Sequence, residues 1–529
     1  MHGASGIGKT ALLAHAAREV AQQHPNGVAI VRFLGTTAKS SDLRSLLVNL
    51  CCELRQSYPL ERELSADVRE LVQEFYEQLK EHSTADRPIH IFLDALDQLE
   101  DADGARQLTW LRSTPLPPCA KLVVSCLSEE EDRRMGIPAR PFSSQTGKNT
   151  HPANQDDERA TEPWNVLNRR GLLANQVSLD SLSFEEARTL LFDIWLRRAG
   201  RTVSAAQRQA ILNRIHPPAS GATARVRGAA NVRERTEPLP DGRGSEIPVN
   251  DPDECRSPLY LKILFEEARR WRSFDEVTEL GNDVSSLLRA LLDRLSQSAE
   301  HGPTVAAATI YIVSARYGLT ENELLEVLFE DPDYKIWLDS ATASNRHELP
   351  ADAKWIPIAL WSRLRFDLAP YLLERGAPGG SVLHFYHRQV ERSVRDQFLA
   401  DSSQRTLRHR RLADYFANTS RHPYFLESLE EQRKRTQPPY SARPANLRKV
   451  TELPEQLFQL AREAQHNTSN DECESTYQQI EDLFLTLDFL EANNEGGRIF
   501  VLAREFSQAV EVLSAHRSKR QGTFGDPGR

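Results

Sequence analysis

Eight residues near the start of the chain have the composition and spacing of a phosphate-binding loop. They read Gly3-Ala4-Ser5-Gly6-Ile7-Gly8-Lys9-Thr10. Glycines at these positions let the backbone curl until successive N–H groups point at the β- and γ-phosphates of a nucleotide, while the lysine adds a positive charge and the threonine hydroxyl is a ligand for Mg2+. The residues predicted to bind a nucleoside triphosphate are Gly3, Ser5, Gly6, Gly8, Lys9 and Thr10. A glycine-rich turn that matches by chance is the alternative.

Only Met1 and His2 precede this loop. A phosphate loop normally follows a buried β-strand and opens a helix. The helix is indicated by the apolar spacing of residues 10–20, and its N-terminal dipole favours phosphate. We therefore expect the first strand to be missing and the chain to lack its true N-terminus.

A second stretch with chemical potential is Ile-His-Ile-Phe-Leu-Asp-Ala-Leu-Asp, residues 89–97. It has the apolar run of a buried strand, with acids at its C-terminal end, the end beyond which open α/β sheets bind ligands. Asp94 is predicted to hold Mg2+ opposite Thr10, directly or through water. Asp97 is predicted to act with Lys9 in catalysis by orienting or deprotonating an attacking water. The alternative role for either acid is a helix N-cap.

Two further apolar runs, residues 27–34 and 121–126, indicate buried parallel strands. Because strands alternate with helical patterns, the sequence predicts an α/β fold with a doubly wound parallel sheet. Ser125, at the end of the second run, is either a sensor of the γ-phosphate or an inert buried residue.

The rest of the chain is predicted to be mainly helical. Residues 136–163 and 217–255 are rich in Pro, Gly and charge, and we expect low-order insertions there. Pro258 occupies the first turn of a predicted helix. The predicted domains are a nucleotide-binding domain (1–182), a small helical domain (183–280), a winged-helix domain (283–404) and a helical C-terminal region (405–529).

Composition narrows the functional class. The chain has 529 residues, a net charge of -9 and a pI near 6.0, which argues against a protein built mainly to hold nucleic acid. No stretch approaches about 18 uncharged apolar residues and no signal peptide precedes the loop. The six cysteines have neither metal-ligand spacing nor a disulfide framework. We therefore expect a cytoplasmic location, no membrane association and reduced thiols.

Several motifs in this order resemble those of the signal-transduction (STAND) P-loop ATPases of the NACHT type, in particular the branch of NACHT and WD-repeat proteins that includes the telomerase-associated component. The resemblance covers roughly residues 1–416. The motifs are residues 3–10, 32–37 (Arg-Phe-Leu-Gly-Thr-Thr), 92–99 (Phe-Leu-Asp-Ala-Leu-Asp-Gln-Leu), 110–111 (Trp-Leu), 257–262 (Ser-Pro-Leu-Tyr-Leu-Lys), 317–325 (Tyr-Gly-Leu-Thr-Glu-Asn-Glu-Leu-Leu) and 385–390 (Phe-Tyr-His-Arg-Gln-Val).

The resemblance implies a nucleotide switch with ATP/ADP and Mg2+ as cofactors. In that family ADP holds the nucleotide-binding, helical and winged-helix domains closed, and exchange for ATP opens them for assembly. The proline matching Pro258 packs near the adenine. The histidine matching His387 reaches from the winged helix to the β-phosphate of ADP.

Three departures from the family pattern bear on activity. Asp97 is followed by Gln98 where the family has Glu, which predicts slower hydrolysis. The third strand ends in Ser125-Cys126, without the usual arginine for the γ-phosphate. We also expect no WD-repeat or other sensor array after the helical tail.

The leading hypothesis is a nucleotide-controlled signalling NTPase and assembly scaffold that hydrolyses ATP slowly at most. Its expected partners are nucleotide, other proteins and further copies of itself through the NTPase and helical regions. One alternative is a non-catalytic interaction module with a truncated, inactive loop. Another is a DNA-binding regulator that uses the winged helix, although its candidate recognition segment, residues 332–343, has no basic stripe.

Overall fold

The computed structural model describes residues 1–37, 40–57, 64–65, 67–100, 102–112, 115–127, 163–172, 175–216, 254–275, 280–298, 301–344, 356–418, 424, 444–466 and 470–523. The chain divides into two compact units, one of residues 1–4, 9–178 and 292–529 and one of residues 5–8 and 179–291. The predicted insertions at 136–163 and 217–255 lie outside the described residues, apart from their last one and two positions. The division into four domains stays a prediction.

The larger unit begins with parallel strands and their helices. The elements are β1 (His2–Gly3), α1 (Lys9–Gln23), β2 (Val28–Phe33), α2 (Leu43–Ser57), α3 (Val68–His82), β3 (Ile89–Asp94), β4 (Ala120–Val124), β5 (Cys126–Leu127), α4 (Pro163–Arg169) and β6 (Ser178–Leu179). The strand orders are β2-β3-β4 and β5-β1-β6. The pairs β2/β3, β3/β4 and β1/β5 are parallel, which confirms the predicted parallel sheet.

The first strand is short rather than missing, which corrects the expectation from the sequence. His2 and Gly3 pair in parallel with Cys126 and Leu127, and the Met1 backbone nitrogen donates to the Val124 carbonyl at 2.9 Å. A strand of two residues leaves no alternation or apolar run, so no sequence pattern announces it.

Successive side chains of β3 point to opposite faces of the sheet, and each face is covered by apolar side chains from other elements. Phe92 packs with Leu13 and Ala17 of α1. Ile91 and Leu93 face a larger apolar cluster, whose other members include Ile30, Leu47, Leu50, Phe75, Leu79 and Trp110. Burying each large apolar side chain of this kind contributes about 1.5–3 kcal/mol. The core therefore fixes β3, and with it the acidic residues at its end.

The smaller unit is helical, and its helices α5 and α7 begin at serine caps. It contains α5 (Phe184–Arg188), which continues as a π-helix over Thr189–Leu196, then α6 (Ala205–Ile215), α7 (Pro258–Ala268) and the start of α8 (Val284–Gln297). Ser183 caps α5 in a capping box with Glu186. Ser257 caps α7, and Pro258 lies in its first turn as predicted, where a missing N–H costs nothing.

The larger unit resumes with helices and one hairpin. They are α9 (Thr304–Ser314), α10 (Glu321–Glu330), α11 (Pro332–Ser344), α12 (Ile358–Leu368), β7 (Leu372–Ala377), β8 (Gly380–Phe385), α13 (Arg388–Phe398) and α14 (Ser402–Ala417). Helix α12 ends at Leu368 because Pro370 cannot continue a helix, and β7 begins just after it. The strands β7 and β8 pair antiparallel. The winged-helix assignment stays a prediction.

The C-terminal helices are α15 (Leu447–His466), α16 (Asn470–Leu485), α17 (Leu487–Glu495) and α18 (Ile499–Thr523). Buried ion pairs join them to the preceding helices. Arg448 donates to both carboxylate oxygens of Glu323 at 2.9 and 3.2 Å. Arg316 pairs with Glu505 at 2.5 Å. Since removing one partner of a buried pair costs about 3–5 kcal/mol, these contacts hold residues 301–344 and the C-terminal helices together.

Membrane insertion has no support among the described helices, none of which combines the length and apolar character needed to cross a bilayer.

Candidate functional site

The middle of the phosphate loop requires glycine for two reasons. Gly6 and Gly8 have φ of +79° and +97°, which side chains of L-residues disfavour. A Cβ at Gly6 would also lie 2.7 Å from the Leu259 Cβ, while the Leu259 N–H donates to the Gly6 carbonyl at 3.2 Å. Pro258 lies beside the loop as well, with its Cγ 3.8 Å from a Cβ placed at Gly8. The start of α7 therefore supports the loop through its backbone.

The end of the loop passes into α1, which begins at Lys9. The Lys9 Nζ donates to the carbonyls of Gly3 and Ala4, at 2.8 and 2.7 Å. The Thr10 hydroxyl donates to Asp94 Oδ2 at 2.6 Å, across 84 residues of sequence. The structure thus brings together the two residues that the sequence predicted as Mg2+ ligands.

Asp94 ends β3 with its side chain 5% exposed. Its second oxygen, Oδ1, accepts a hydrogen bond from the Ser125 hydroxyl. Hydroxyl and carboxylate oxygens are the hard donors that Mg2+ prefers, so Thr10 and Asp94 fit this cation. Among the described residues no group of three or more His, Cys, Asp or Glu could hold a metal. A cation here would complete its shell with water and phosphate oxygens, as Mg2+ does in phosphate-transfer sites.

Asp97 lies in the single turn Leu96–Gln98 that follows β3, and it is 6% exposed. Its Oδ2 accepts hydrogen bonds from Arg388 Nη1 and from Gln98 Nε2, both at 3.1 Å. The carboxylate predicted to activate water is therefore already paired with a guanidinium. Its catalytic role, like that of Lys9, stays a prediction.

His387 caps α13, and its Nδ1 accepts a hydrogen bond from the Gln389 N–H at 3.2 Å. Burial lowers the pKa of His387 to about 3, and the positive charges of Arg388 and Lys9 add to the effect. The ring is neutral at pH 7. Because Nδ1 accepts, the hydrogen of the neutral ring lies on Nε2, which makes that atom a donor.

Sequence reasoning missed Arg388 and the similar Arg375. Arg375 Nη1 donates to the Gly35 carbonyl at 3.0 Å, in the loop after β2. Together these two arginines connect the segment 372–398 to the C-terminal ends of β2 and β3. Arg388 directly follows His387 in the motif at residues 385–390, and that adjacency was the available signal. An arginine at the start of an amphipathic helix otherwise indicates only a solvated face.

Comparison with known proteins gives one family model and several relatives that contain a NACHT domain. The family model described as Nephrocystin 3, N-terminal, matches residues 1–126. The human NACHT domain- and WD repeat-containing protein 1 is 29% identical over 556 aligned positions, covering 98% of this chain and 30% of that protein. The human NACHT and WD repeat domain-containing protein 2 is 28% identical, covering 79% of this chain and 20% of that protein. This chain is related to these NACHT and WD repeat-containing proteins.

The chain spans about a third or less of these NACHT relatives. Among solved structures, one match is a Signal Transduction ATPase with Numerous Domains (STAND) protein with a tetratricopeptide repeat sensor from Pyrococcus horikoshii. The match covers 98% of this chain and 62% of that protein's chain, at 12% identity and a TM-score of 0.34. A TM-score of this size does not establish a common arrangement of the two chains.

We predict that His387 stays uncharged from pH 8 to pH 5. Since its pKa falls from the usual 6.5 to about 3 on folding, the unfolded chain binds the proton first. The folded state therefore loses stability as the pH falls from about 6.5 towards 3. NMR of protein labelled with 13C at the histidine ε1 carbons measures this, with the signal assigned by its loss in His387→Gln. A titration midpoint near pH 6.5 would contradict the prediction.

Proposed function

We propose that this chain is a nucleotide-controlled switch, an ATP/ADP-binding STAND-type signalling NTPase that assembles with protein partners and hydrolyses ATP slowly at most. The observation that carries the proposal is the ion pair between Arg388 and Asp97. It joins the segment that follows the β7–β8 hairpin to the acidic end of β3, beside the Thr10–Asp94 hydrogen bond. We therefore expect a change at the phosphates to alter the ion pair between Asp97 and Arg388, and through it the position of residues 388–398.

In this proposal the phosphates bind the loop of residues 3–10. The Lys9 ammonium donates to two backbone carbonyls, and phosphate oxygens are stronger acceptors for it. Thr10 and Asp94 would hold Mg2+, which when bound neutralises charge on the β- and γ-phosphates. Pro258 would pack near the adenine, as the family resemblance implies.

A switch needs a group whose interaction differs between ADP and ATP, because a ligand shifts an equilibrium only by its differential affinity. His387 has the properties of such a group. It is neutral, its Nε2 is a hydrogen-bond donor, and its pKa responds to the charge of Lys9. A donor from residues 372–398 that contacts one nucleotide state would couple that state to the position of those residues.

Slow turnover is supported by the surroundings of Asp97. A general base must be free to accept a proton from water. Here one oxygen of Asp97 accepts from both Arg388 and Gln98. Gln98 also replaces the acid that the family carries at this position, so no second carboxylate follows in the motif.

The two alternatives make different demands on the same residues. A non-catalytic interaction module needs no nucleotide, so nucleotide retention separates it from the switch. A DNA-binding regulator needs a basic face on the segment 332–343. Within α11, Leu338 is buried and Asp333 pairs with Arg411 at 3.0 Å. Its exposed charged residues are Asp333, Lys335 and Asp339, and a single lysine among two carboxylates is no basic face.

Nucleotide retention tests the proposal directly. Purified protein should release ADP or ATP on heat denaturation, detected by chromatography of the supernatant, and should bind nucleotide in a Mg2+-dependent way by calorimetry. Lys9→Ala should abolish both results because the phosphates lose their cation. Lys80→Ala, an exposed lysine on α3, is the matched control and should behave as wild type. No released nucleotide together with no binding in the wild type would overturn the switch.

Replacing His387 should weaken ADP binding more than ATP binding. One hydrogen bond to a charged phosphate contributes about 1.5–3 kcal/mol, which is roughly a tenfold to hundredfold change in the ADP dissociation constant. Calorimetry of His387→Ala measures the ratio. His387→Asn retains a helix cap, but its side chain is shorter than histidine. If the ring contacts the ligand, this variant should also lose more affinity for ADP than for ATP. Equal losses for both nucleotides would refute the assignment.

Freeing Asp97 should raise turnover. Arg388→Met keeps much of the apolar stem but removes the guanidinium, and we expect steady-state ATP hydrolysis to increase severalfold because the carboxylate becomes available to water. Arg392→Met, on the same helix and paired with Asp396 at 3.5 Å, is the control. Unchanged ADP affinity confirms that the variant is folded. A decrease in hydrolysis would mean that Arg388 acts on the nucleotide rather than restraining the acid.

A further inference from the structure

Ser125 lies where the sheet changes partners. The preceding residue, Val124, pairs with Leu93 of β3, and the following residue, Cys126, pairs with His2 of β1. Ser125 itself is 0% exposed. It therefore sits between the strand that ends in Asp94 and the strand that leads into the phosphate loop.

The backbone of this junction is tied to both strands. On one side the Ser125 N–H donates to the Leu93 carbonyl at 2.9 Å. On the other, the Met1 nitrogen donates to the Val124 carbonyl at 2.9 Å and the Cys126 N–H donates to the Met1 carbonyl at 3.2 Å. The position of the Ser125 hydroxyl is thus set by the same backbone that positions the start of the loop.

The hydroxyl makes two hydrogen bonds at the end of β3. It donates to Asp94 Oδ1 and accepts from the Ala95 N–H at 2.7 Å. A hydroxyl has one proton to donate, and this one is used on the carboxylate. A sensor of the γ-phosphate would need the same proton, so the contacts favour a different role.

The Asp94 carboxylate accepts a hydroxyl hydrogen bond on each of its two oxygens, from Ser125 and from Thr10. The terminal torsion of an aspartate is broad, so a carboxylate without fixed partners rotates. With Oδ1 bonded to Ser125, Oδ2 is the oxygen directed to Thr10, at 2.6 Å. Ala95, the next residue, has the left-handed φ of +60° and ψ of +61°, a conformation that residues other than glycine disfavour. The acceptor that Ser125 offers to its N–H helps to hold that turn.

We propose that Ser125 is a positioning residue that orients the Asp94 carboxylate so that Oδ2 and the Thr10 hydroxyl together bind Mg2+. The proposal rests on the proposed function, since the cation is the one that accompanies a bound nucleotide. In this role Ser125 contributes to the affinity for the metal and makes no contact with the nucleotide.

The experiment compares ATP binding by the full chain with and without metal. For Ser125→Ala we expect the Mg2+ concentration that gives half of the metal-dependent gain in ATP affinity to rise about tenfold, by calorimetry, while the affinity measured in EDTA stays within about twofold of wild type. Electron paramagnetic resonance of Mn2+ bound with ATP gives a second measure that does not depend on hydrolysis. Ser314→Ala, a buried serine at the end of α9, is the matched control and should change neither quantity.

Ser125 is buried, and replacing a buried residue by alanine can disturb the fold, so the test includes a second, more conservative variant. Ser125→Cys keeps a side chain of similar shape with a weak S–H donor, so we expect a metal requirement between those of wild type and Ser125→Ala. An unchanged metal requirement in both variants would overturn the proposal. So would equal losses with Mg2+ and with EDTA, which indicate a general structural role.

Two further outcomes separate this inference from the proposed function. A loss of ATP affinity in EDTA with ADP affinity retained would make Ser125 a γ-phosphate sensor, overturning the positioning role while the switch stands. No ATP binding by the wild type under either condition would overturn both. A raised metal requirement with normal metal-free affinity supports the positioning role.

Discussion

The structure of the candidate site depends on one carboxylate that accepts two hydroxyl hydrogen bonds. Asp94 receives Thr10 on one oxygen and Ser125 on the other. These bonds join the helix after the phosphate loop, the end of β3 and the junction of β4 and β5. A buried carboxylate is costly unless its oxygens are satisfied, so each of the three elements is constrained by the other two. The same bonds place the two proposed Mg2+ ligands, Thr10 and Asp94, within hydrogen-bond distance of each other.

A second constraint is the placement of arginines on the same edge of the sheet. Arg388 pairs with Asp97, and Arg375 donates to the Gly35 carbonyl. Moving residues 372–398 away would leave the buried Asp97 without its cation, which is strongly unfavourable. The position of residues 372–398 and the pairing of the Asp97 carboxylate with a cation are therefore energetically coupled. That coupling gives the proposed switch a physical basis in addition to the relationship with NACHT proteins.

Much of the fold could be predicted because its signals are local. The central strands are continuous apolar runs, as expected of parallel strands covered on both faces, and residues 28–33, 89–94 and 120–124 confirm them. The capping boxes at Ser183 and Thr320 are local signals of the same kind, since each is defined within four residues. The two-residue β1 carries no such signal, because it forms by pairing with the distant β5. The end of α12 does have a local signal in Pro370, and β7 pairs with β8 directly after it in the chain.

The same division applies to function. The sequence by itself determined the loop of residues 3–10, the acids that follow β3 and the resemblance to NACHT-type NTPases, because these depend on residue types at fixed local spacing. Only the tertiary structure decided that Arg388 pairs with Asp97, 291 residues away, and that Ser125 bonds to Asp94, 31 residues away. Neither serine nor arginine carries a periodic signal for its partner. The backbone geometry of the sheet and the cost of burying an unpaired carboxylate selected those partners.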